Sequence, residues 1–131
     1  MKYKLTAESK NINGVTLYRI EALKDFGSVK AGDLGGWVEL ESNLSQDGTA
    51  WVYDNAQIFG YAKVSGDAKV YGNAWVFGNA WVFSDAEVYG GTAKVYGNTK
   101  VYGNAEIYGY AEVSGDSESQ ASDAIDDAMG D

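Results

Sequence analysis

The chain has 131 residues, enough for one ordinary domain, and a formal net charge of −9. It contains no cysteine, which excludes disulfides and thiolate metal sites, and it also contains no histidine and no proline. Its apolar runs are too short to cross a membrane, and residues 1–6 lack the apolar stretch of a signal peptide, so we expect a cytoplasmic protein. Because the chain shows no basic patch, we expect no direct binding to nucleic acid.

The first 49 residues predict a small β-rich cap. Tyr3–Leu5 and Val15–Ile20 have strand-like composition and are separated by a turn around Asn11–Gly14. The glycines of Gly32–Gly36 indicate a second turn. A cap of this kind would cover the open end of a coil, where unpaired backbone invites fibre growth.

From residue 50 the chain repeats a six-residue pattern of the form Ala-x-Val-aromatic-Gly-Asn. Its aliphatic positions are Val52, Ile58, Val64, Val70, Val76, Val82, Val88, Val95, Val101, Ile107 and Val113. A small residue, alanine or Thr99, stands two positions before each of them. Every step is six residues except the seven from Val88 to Val95, and Val38 and Leu44 extend the register upstream of an insertion near residues 46–48.

This pattern predicts an all-β fold. Within each hexad alternate side chains point to opposite faces, so the alanine and valine point inward and the x and aromatic residues point outward. Strands this short need parallel neighbours, and three hexads per turn would stack them into a triangular coil. The repeat therefore resembles the left-handed parallel β-helix of hexapeptide-repeat proteins. We divide the chain into a cap with the first hexads (1–49), the repeat coil (50–117) and an acidic tail or short helix (118–131).

A more specific resemblance extends from residue 1 to about residue 115. The segments LYRIEALKDFG, GDLGGWVE, NLSQ and WVYDNA resemble small hexapeptide-repeat proteins encoded by bacteriophages and prophages. This resemblance implies a phage-encoded protein that acts in the host cell cytoplasm. Other compact phage proteins inhibit host defences such as CRISPR, which raises that function as an analogy.

The residues needed for catalysis on this fold are missing from the sequence. Hexapeptide acyltransferases, which this chain resembles in its coil, typically use a histidine base, and related carbonic anhydrases bind zinc through histidines. Glu87 and Glu106 are expected to stack as a carboxylate pair, which more often is a solvated surface than a catalytic site. The asparagines and aspartates at the corners lack the clustered carboxylates that calcium prefers. We expect no enzyme activity, no cofactor and no metal.

The outward positions carry the functional prediction. Stacking every third hexad predicts one column of Tyr53, Tyr71, Tyr89 and Tyr108, and comparable columns on the other two faces. Such rings can stabilise the coil simply by stacking on one another. Three aromatic strips also exceed the apolar patch usual for a monomer, so we expect a homodimer or other homo-oligomer, a host-protein partner, or both. The predicted interface residues are Tyr71, Trp75, Phe77, Trp81, Phe83, Tyr89, Tyr96 and Tyr102.

The tail from residue 116 onwards has six acidic and no basic residues: Asp116, Glu118, Asp123, Asp126, Asp127 and Asp131. It could form a short helix or stay disordered. Its charge could keep the protein soluble, blunt the terminal edge against polymerisation, or mimic nucleic acid phosphates for a basic partner surface.

These observations favour a non-catalytic phage protein that binds and inhibits a host protein. A structural β-helix module that assembles in a phage particle is the alternative, and carbohydrate binding on the aromatic strips is a weaker one.

Overall fold

A computed structural model describes residues 1–114 and the backbone of two further short strands. The strands are β1 (Tyr3–Ile12), β2 (Val15–Ala22), β3 (Leu34–Val38), β4 (Trp51–Val52), β5 (Gln57–Ile58), β6 (Lys63–Val64), β7 (Lys69–Val70), β8 (Trp75–Val76), β9 (Trp81–Val82), β10 (Glu87–Val88), β11 (Lys94–Val95), β12 (Lys100–Val101), β13 (Glu106–Ile107), β14 (Glu112–Val113), β15 (Glu118–Ser119) and β16 (Ala124–Ile125). Within the described residues the only helical segment is a 3₁₀ turn at Glu41–Asn43. The all-β prediction is confirmed.

The repeat forms a β-solenoid of about four coils with three parallel faces. Face 1 contains β3, β5, β8, β11 and β14; face 2 contains β4, β7, β10, β13 and β16; face 3 contains β6, β9, β12 and β15. Leu44 adds a first rung to face 3 by bridging to Val64. Partners in regular coils are 18 residues apart, as in Val52 with Val70, which confirms three hexads per coil. The spacing is 19 where the coil includes the seven-residue step, as in Val76 with Val95, and 20 across the insertion, as in Val38 with Ile58.

The predicted aliphatic residues form the core. All eleven, from Val52 to Val113, are buried, together with the alanines two positions before them and Thr99. The Thr99 hydroxyl keeps a hydrogen bond in this position by donating to the Tyr96 carbonyl at 2.7 Å. The solenoid interior is therefore dry, and its alternation of alanine and valine follows from the narrow space inside each coil.

The corners turn at glycine. Gly72 has a φ of +70°, and a Cβ there would lie 2.7 Å from the carbonyl oxygen of Gly90 in the next coil. Both the left-handed backbone and the close contact therefore require glycine. The asparagine that follows, Asn73, is exposed and is not among the residues with positive φ. The left-handed residue of this corner is therefore the glycine and not the asparagine that follows it. Asp54 and Ser84 take the same conformation at the equivalent positions of their hexads.

The N-terminal segment is an antiparallel hairpin, β1–β2, that continues face 1 through β3. The turn predicted at Gly32–Gly36 is wrong beyond Asp33, because Leu34–Val38 is strand β3. Gly35 and Gly36 serve close packing instead. A Cβ on Gly35 would lie 2.5 Å from the Val52 carbonyl oxygen, and one on Gly36 would lie 2.5 Å from that of Ala56.

Two side chains at the start of β1 seal the first coil. The Tyr3 hydroxyl donates to the carbonyls of Glu41 and Leu44, and the Lys2 ammonium donates to Ala50 O at 2.7 Å. The Gln46 amide accepts from the Lys2 and Tyr3 backbone N–H groups and donates to the Tyr3 carbonyl. The insertion near residues 46–48 thus receives the N-terminal strand. Burial lowers the pKa of Lys2 to about 8, against the nearby Asp47 charge, which raises it.

Candidate interaction surface

Each face carries two columns of outward side chains. We call the column before the buried aliphatic the leading column and the column after it the trailing column. The pairing places Tyr53, Tyr71, Tyr89 and Tyr108 in one trailing column, and Phe59, Phe77 and Tyr96 in another, as predicted. The third trailing column contains Ser65, Phe83 and Tyr102.

The rings of the trailing columns stack on one another. Tyr71 and Tyr89 lie parallel with centroids 4.8 Å apart, and Phe59, Phe77 and Tyr96 follow the same geometry at 4.9 Å per step. A ring inside such a ladder exposes its edge while the neighbouring rings cover its faces. Each of these five rings is partly buried. Stacking therefore covers much of the apolar ring area that we predicted a partner would cover.

Tyrosine hydroxyls tie the columns of successive coils together. Tyr71 donates to Glu87 at 2.8 Å, Tyr89 donates to Glu106 at 2.7 Å, and Tyr96 donates to Glu112 at 3.3 Å. Each bond joins a trailing tyrosine to the leading glutamate of the following coil. Glu87 and Glu106 do stack in register, as predicted. Each carboxylate, however, is occupied as a hydrogen-bond acceptor, which argues against a free catalytic pair.

These bonds change the acidity of the tyrosines. The hydrogen bond to Glu106, with a smaller contribution from burial, raises the pKa of Tyr89 to about 12. Burial, with the hydrogen bond to Glu87, raises the pKa of Tyr71 above its usual range. The carboxylate favours the protonated hydroxyl in both cases because ionised tyrosine could neither donate a proton nor tolerate the adjacent negative charge.

The lysines of the leading columns lie beside tryptophans. The pairing places Lys69 in register with Glu87 and Lys94 in register with Glu112, but neither pair has its charged atoms within 4 Å. The Lys94 ammonium lies 5.3 Å from the ring centroid of Trp75. On face 3 Lys63 and Lys100 lie 5.5 and 5.9 Å from that of Trp81. These are cation–π distances.

The eight predicted interface residues lie on three different faces. Trp75, Phe77 and Tyr96 are on face 1, Tyr71 and Tyr89 on face 2, and Trp81, Phe83 and Tyr102 on face 3. Among the eight, Trp81 alone is exposed, at 43%, and its ring lies at 86° to Phe83 and outside the stack. A single flat partner can therefore cover at most one of these groups and part of the adjoining corner.

The acidic tail lies largely outside the described residues. Asp116, Asp123, Asp126, Asp127 and Asp131 fall there. The short helix considered for this segment is wrong at Ala124–Ile125, because these two residues form strand β16 and pair with β13. Glu118 begins β15, in register with Lys100, and nothing is described of its side chain.

Sequence reasoning missed two exposed tyrosines at the corners. Tyr61 is 76% exposed and Tyr110 is 62% exposed. Each follows the corner glycine, where most hexads have asparagine or aspartate. This departure from the repeat is the sequence signal that indicates a surface role for the two tyrosines, because a bulky ring at a solvent-exposed corner contributes nothing to the core.

The concavities on the described surface are shallow. One of about 290 Å³ is lined by Ser28, Tyr53, Asp54, Lys69, Tyr71 and Glu87 on face 2. Another of about 250 Å³ is lined by Ser42, Ser45, Lys63, Val64, Ser65 and Trp81 on face 3. Within residues 1–114 no three carboxylates converge as a metal-binding group. In the same part of the chain, no helix has the length and apolar character needed to span a bilayer.

Comparison with known proteins gives a partial similarity. No protein-family model matches the chain. A stretch of 68 residues is 40% identical to the uncharacterized acetyltransferase YdcK of Escherichia coli (strain K12), covering 45% of this chain and 21% of that protein. The chain thus spans about a fifth of the length of this relative. It is a hexapeptide-repeat β-solenoid with distant similarity to an acetyltransferase.

Proposed function

We propose that the chain is a non-catalytic β-solenoid that binds another protein through an outward face. The observation that carries this proposal is Trp81, a large aromatic ring left exposed on a flat, rigid face by a ladder that covers its neighbours. Tryptophan is among the residues most often found as an energetic anchor of an interface. The surrounding coil holds the ring in place, so little conformational entropy is lost on binding.

The chemistry of the side chains supports binding over catalysis. The sequence has no histidine and no cysteine to act as base or nucleophile. The outward glutamates of face 2 already accept hydrogen bonds from tyrosine hydroxyls, so neither is a free general base. The similarity to an acetyltransferase covers too little of that protein to carry its activity to this chain.

We propose further that the partner is a host protein and that the chain is phage-encoded and inhibits a host defence system. The resemblance of the N-terminal segments supports this origin. Several residues in those segments also have structural roles: Gly35 and Gly36 permit close packing, and Gln46 holds β1. The Asn43 amide is buried and bonds the backbone of Gly60 and Ala62. The resemblance therefore supports the fold more strongly than the partner.

Self-association is the second candidate. Trp75 on face 1 and Trp81 on face 3 are one hexad apart on neighbouring faces, with Phe77 and the corner at residues 78–79 between them. A second copy that wraps around this corner could contact both rings. Such a contact would produce a homodimer of side-packed solenoids, or the larger assembly expected of a structural module.

Sedimentation over a wide concentration range tests both candidates. We expect Trp75→Ala/Trp81→Ala to keep the circular dichroism of the wild type, because neither ring belongs to the valine core. Self-association, or binding of a co-purified host protein at fixed stoichiometry, should weaken more than ten-fold, about 1.4 kcal/mol.

The contrary results are specific. A folded double variant with unchanged mass and unchanged partner binding would show that these rings only stabilise the exterior. Stoichiometric zinc in protein purified without added metal, or turnover of acetyl coenzyme A by the purified chain, would contradict the non-catalytic assignment.

A further inference from the structure

Face 3 differs in charge from the other two faces. Its outward residues within residues 1–114 are Ser45, Lys63, Ser65, Trp81, Phe83, Lys100 and Tyr102, which include two lysines and no acid. Face 2 carries Glu87 and Glu106, and face 1 carries Glu39 and Glu112. A chain of net charge −9 thus presents one positively charged, aromatic face.

The leading column of face 3 places the two lysines on either side of the exposed indole. Lys63, Trp81 and Lys100 are successive partners in the parallel sheet. In contrast to Lys4 and Lys30, which have carboxylates within 4 Å, these lysines have no ion-pair partner at that distance within residues 1–114. Both lysines are exposed, so an acidic ligand can reach their ammonium groups, and Trp81 provides the apolar contact between them.

The surroundings limit the site on each side. The corner next to the leading column carries the exposed Tyr61 and uncharged Asn79, with Glu39 and Glu41 at the same corner of the first coil. The acids Asp67 and Asp85 lie at the opposite corner, beyond the trailing column. Glu118 occupies the next register position after Lys100, so the basic segment ends there. The site is therefore a strip that runs along the solenoid axis from Lys63 to Lys100.

We infer that this strip binds an acidic amphipathic helix of a partner protein, laid parallel to the solenoid axis; the inference rests on the proposed binding function. Strands in a sheet are about 4.8 Å apart, which separates the Lys63 and Lys100 backbones by about 9.6 Å. Residues i and i+7 of an α-helix lie on one face about 10.5 Å apart, with i+3 and i+4 midway between them. An acid–apolar–acid pattern at i, i+3 or i+4, and i+7 therefore matches the order Lys63–Trp81–Lys100.

Charge and shape both favour this occupant. Two ammonium groups at fixed spacing complement two carboxylates. The concavity of about 250 Å³ beside Lys63 and Trp81 is smaller than the clefts of about 300–1,000 Å³ that usually bury a small ligand. At physiological ionic strength charges are screened beyond about 8 Å, so the lysines of the strip outweigh the net negative charge of the chain. The helix-on-surface arrangement is a recurrent mode of peptide recognition.

A selection experiment tests the inference on the full chain. A library of displayed helical peptides, randomised at i, i+3, i+4 and i+7 in an alanine-rich host, is selected on the wild type. The affinity of the enriched peptides is then measured on Lys63→Gln/Lys100→Gln. Lys69→Gln/Lys94→Gln is the matched control, since it removes two lysines from leading columns of the other faces. Circular dichroism verifies that both variants fold.

We expect enriched peptides with Asp or Glu at i and i+7 and a large apolar residue between them. Their affinity should fall at least ten-fold with Lys63→Gln/Lys100→Gln and with Trp81→Ala, and change less than two-fold with the control variant. Peptides without this pattern, equal losses in both lysine variants, no enrichment, or equal competition by a single-stranded oligothymidylate would overturn the inference. Enriched peptides sensitive only to Lys69→Gln/Lys94→Gln would reject face 3 and leave the proposed binding function standing.

Discussion

The hydroxyl of Tyr89 donates a 2.7 Å hydrogen bond to the carboxylate of Glu106, which lies 17 residues later and one coil further along face 2. The Tyr71–Glu87 pair repeats this contact one coil earlier. These diagonal bonds connect each trailing tyrosine to the leading column of the next coil, so they fasten adjacent coils on the outside of the solenoid. A hydrogen bond to a charged acceptor of this kind contributes about 1.5–3 kcal/mol when shielded, and less at an exposed surface.

The Tyr89–Glu106 bond predicts a pH dependence. The folded-state pKa of Tyr89 is about 12 and its ordinary value is 10.0, so the bond's contribution is complete below pH 10 and is lost as pH rises towards 12. Tyr89→Phe removes that contribution at every pH. We therefore expect the difference in melting temperature between wild type and Tyr89→Phe to be constant from neutral pH to pH 10 and to shrink above pH 10. A difference that grows with pH would contradict the assigned bond.

The hydrogen bonds of the Tyr3 hydroxyl predict that removal of this one oxygen destabilises the protein. Tyr3→Phe leaves the buried carbonyl of Leu44 without the Tyr3 donor and the Glu41 carbonyl with only the Leu44 N–H, which should cost about 1–3 kcal/mol of unfolding free energy. Urea unfolding measures the loss. Tyr61→Phe removes a hydroxyl from a side chain that is 76% exposed and should change stability by less than about 0.5 kcal/mol. Equal effects of both variants would show that the seal does not contribute.

The close packing around Gly35 predicts that a larger side chain at this position destabilises the protein. A Cβ there would lie 2.5 Å from Val52 O and 2.7 Å from Ile20 Cγ1, so Gly35→Ala should destabilise by about 1–3 kcal/mol. Gly91→Ala is the control. Its Cβ would meet Tyr110 Cε1 at 3.2 Å, the far end of a side chain that can rotate towards solvent. Thermal unfolding of the two variants should differ clearly, and a neutral Gly35→Ala would contradict the packing of β3 on the first coil.

The buried valine core predicts that a charged substitution there destabilises the protein more than the changes at Tyr3 or Gly35. Val76 is fully buried, so Val76→Asp places an unpaired charge in the dry interior and should unfold the middle coils. Asn79→Asp introduces the same charge at an exposed corner and should be tolerated. Circular dichroism and sedimentation report both outcomes. A folded Val76→Asp would mean that the inward assignment of the repeat is wrong.

The repeat allowed most of the coil to be predicted from the sequence, because its constraint is local and periodic. Every valine between Val52 and Val113 points inward for the same reason, and the three-hexad coil fixes the partner of each. The N-terminal segment has no period. Gly35 and Gly36 were interpreted as turn residues, but glycine also occurs where two backbones pack closely. Only the packing against Val52 and Ala56 shows that the second role applies here.

The surface was predicted less completely. The sequence predicts which side chains point outward and which lie in one column, but not how the rings orient. Whether Trp81 joins a stack or lies across it depends on the torsion angles chosen beside Phe83, Lys63 and Lys100. The tyrosine–glutamate bonds were missed for a similar reason, since they run diagonally between columns and we considered contacts only within a column.

The seven-residue step from Val88 to Val95 leaves the pairing of Val76 with Val95 intact, so the corner at Gly90–Thr92 absorbs the extra residue. Each coil pairs only with the coils next to it, and the Lys2–Tyr3 seal involves the first coil alone. Duplication of the 18 residues 57–74 would consequently preserve every kind of contact in the solenoid. It would move the hairpin and the far end apart by about 4.8 Å. The distance between two ligands bound at opposite ends of the solenoid can therefore be changed in fixed increments, without redesign of the core.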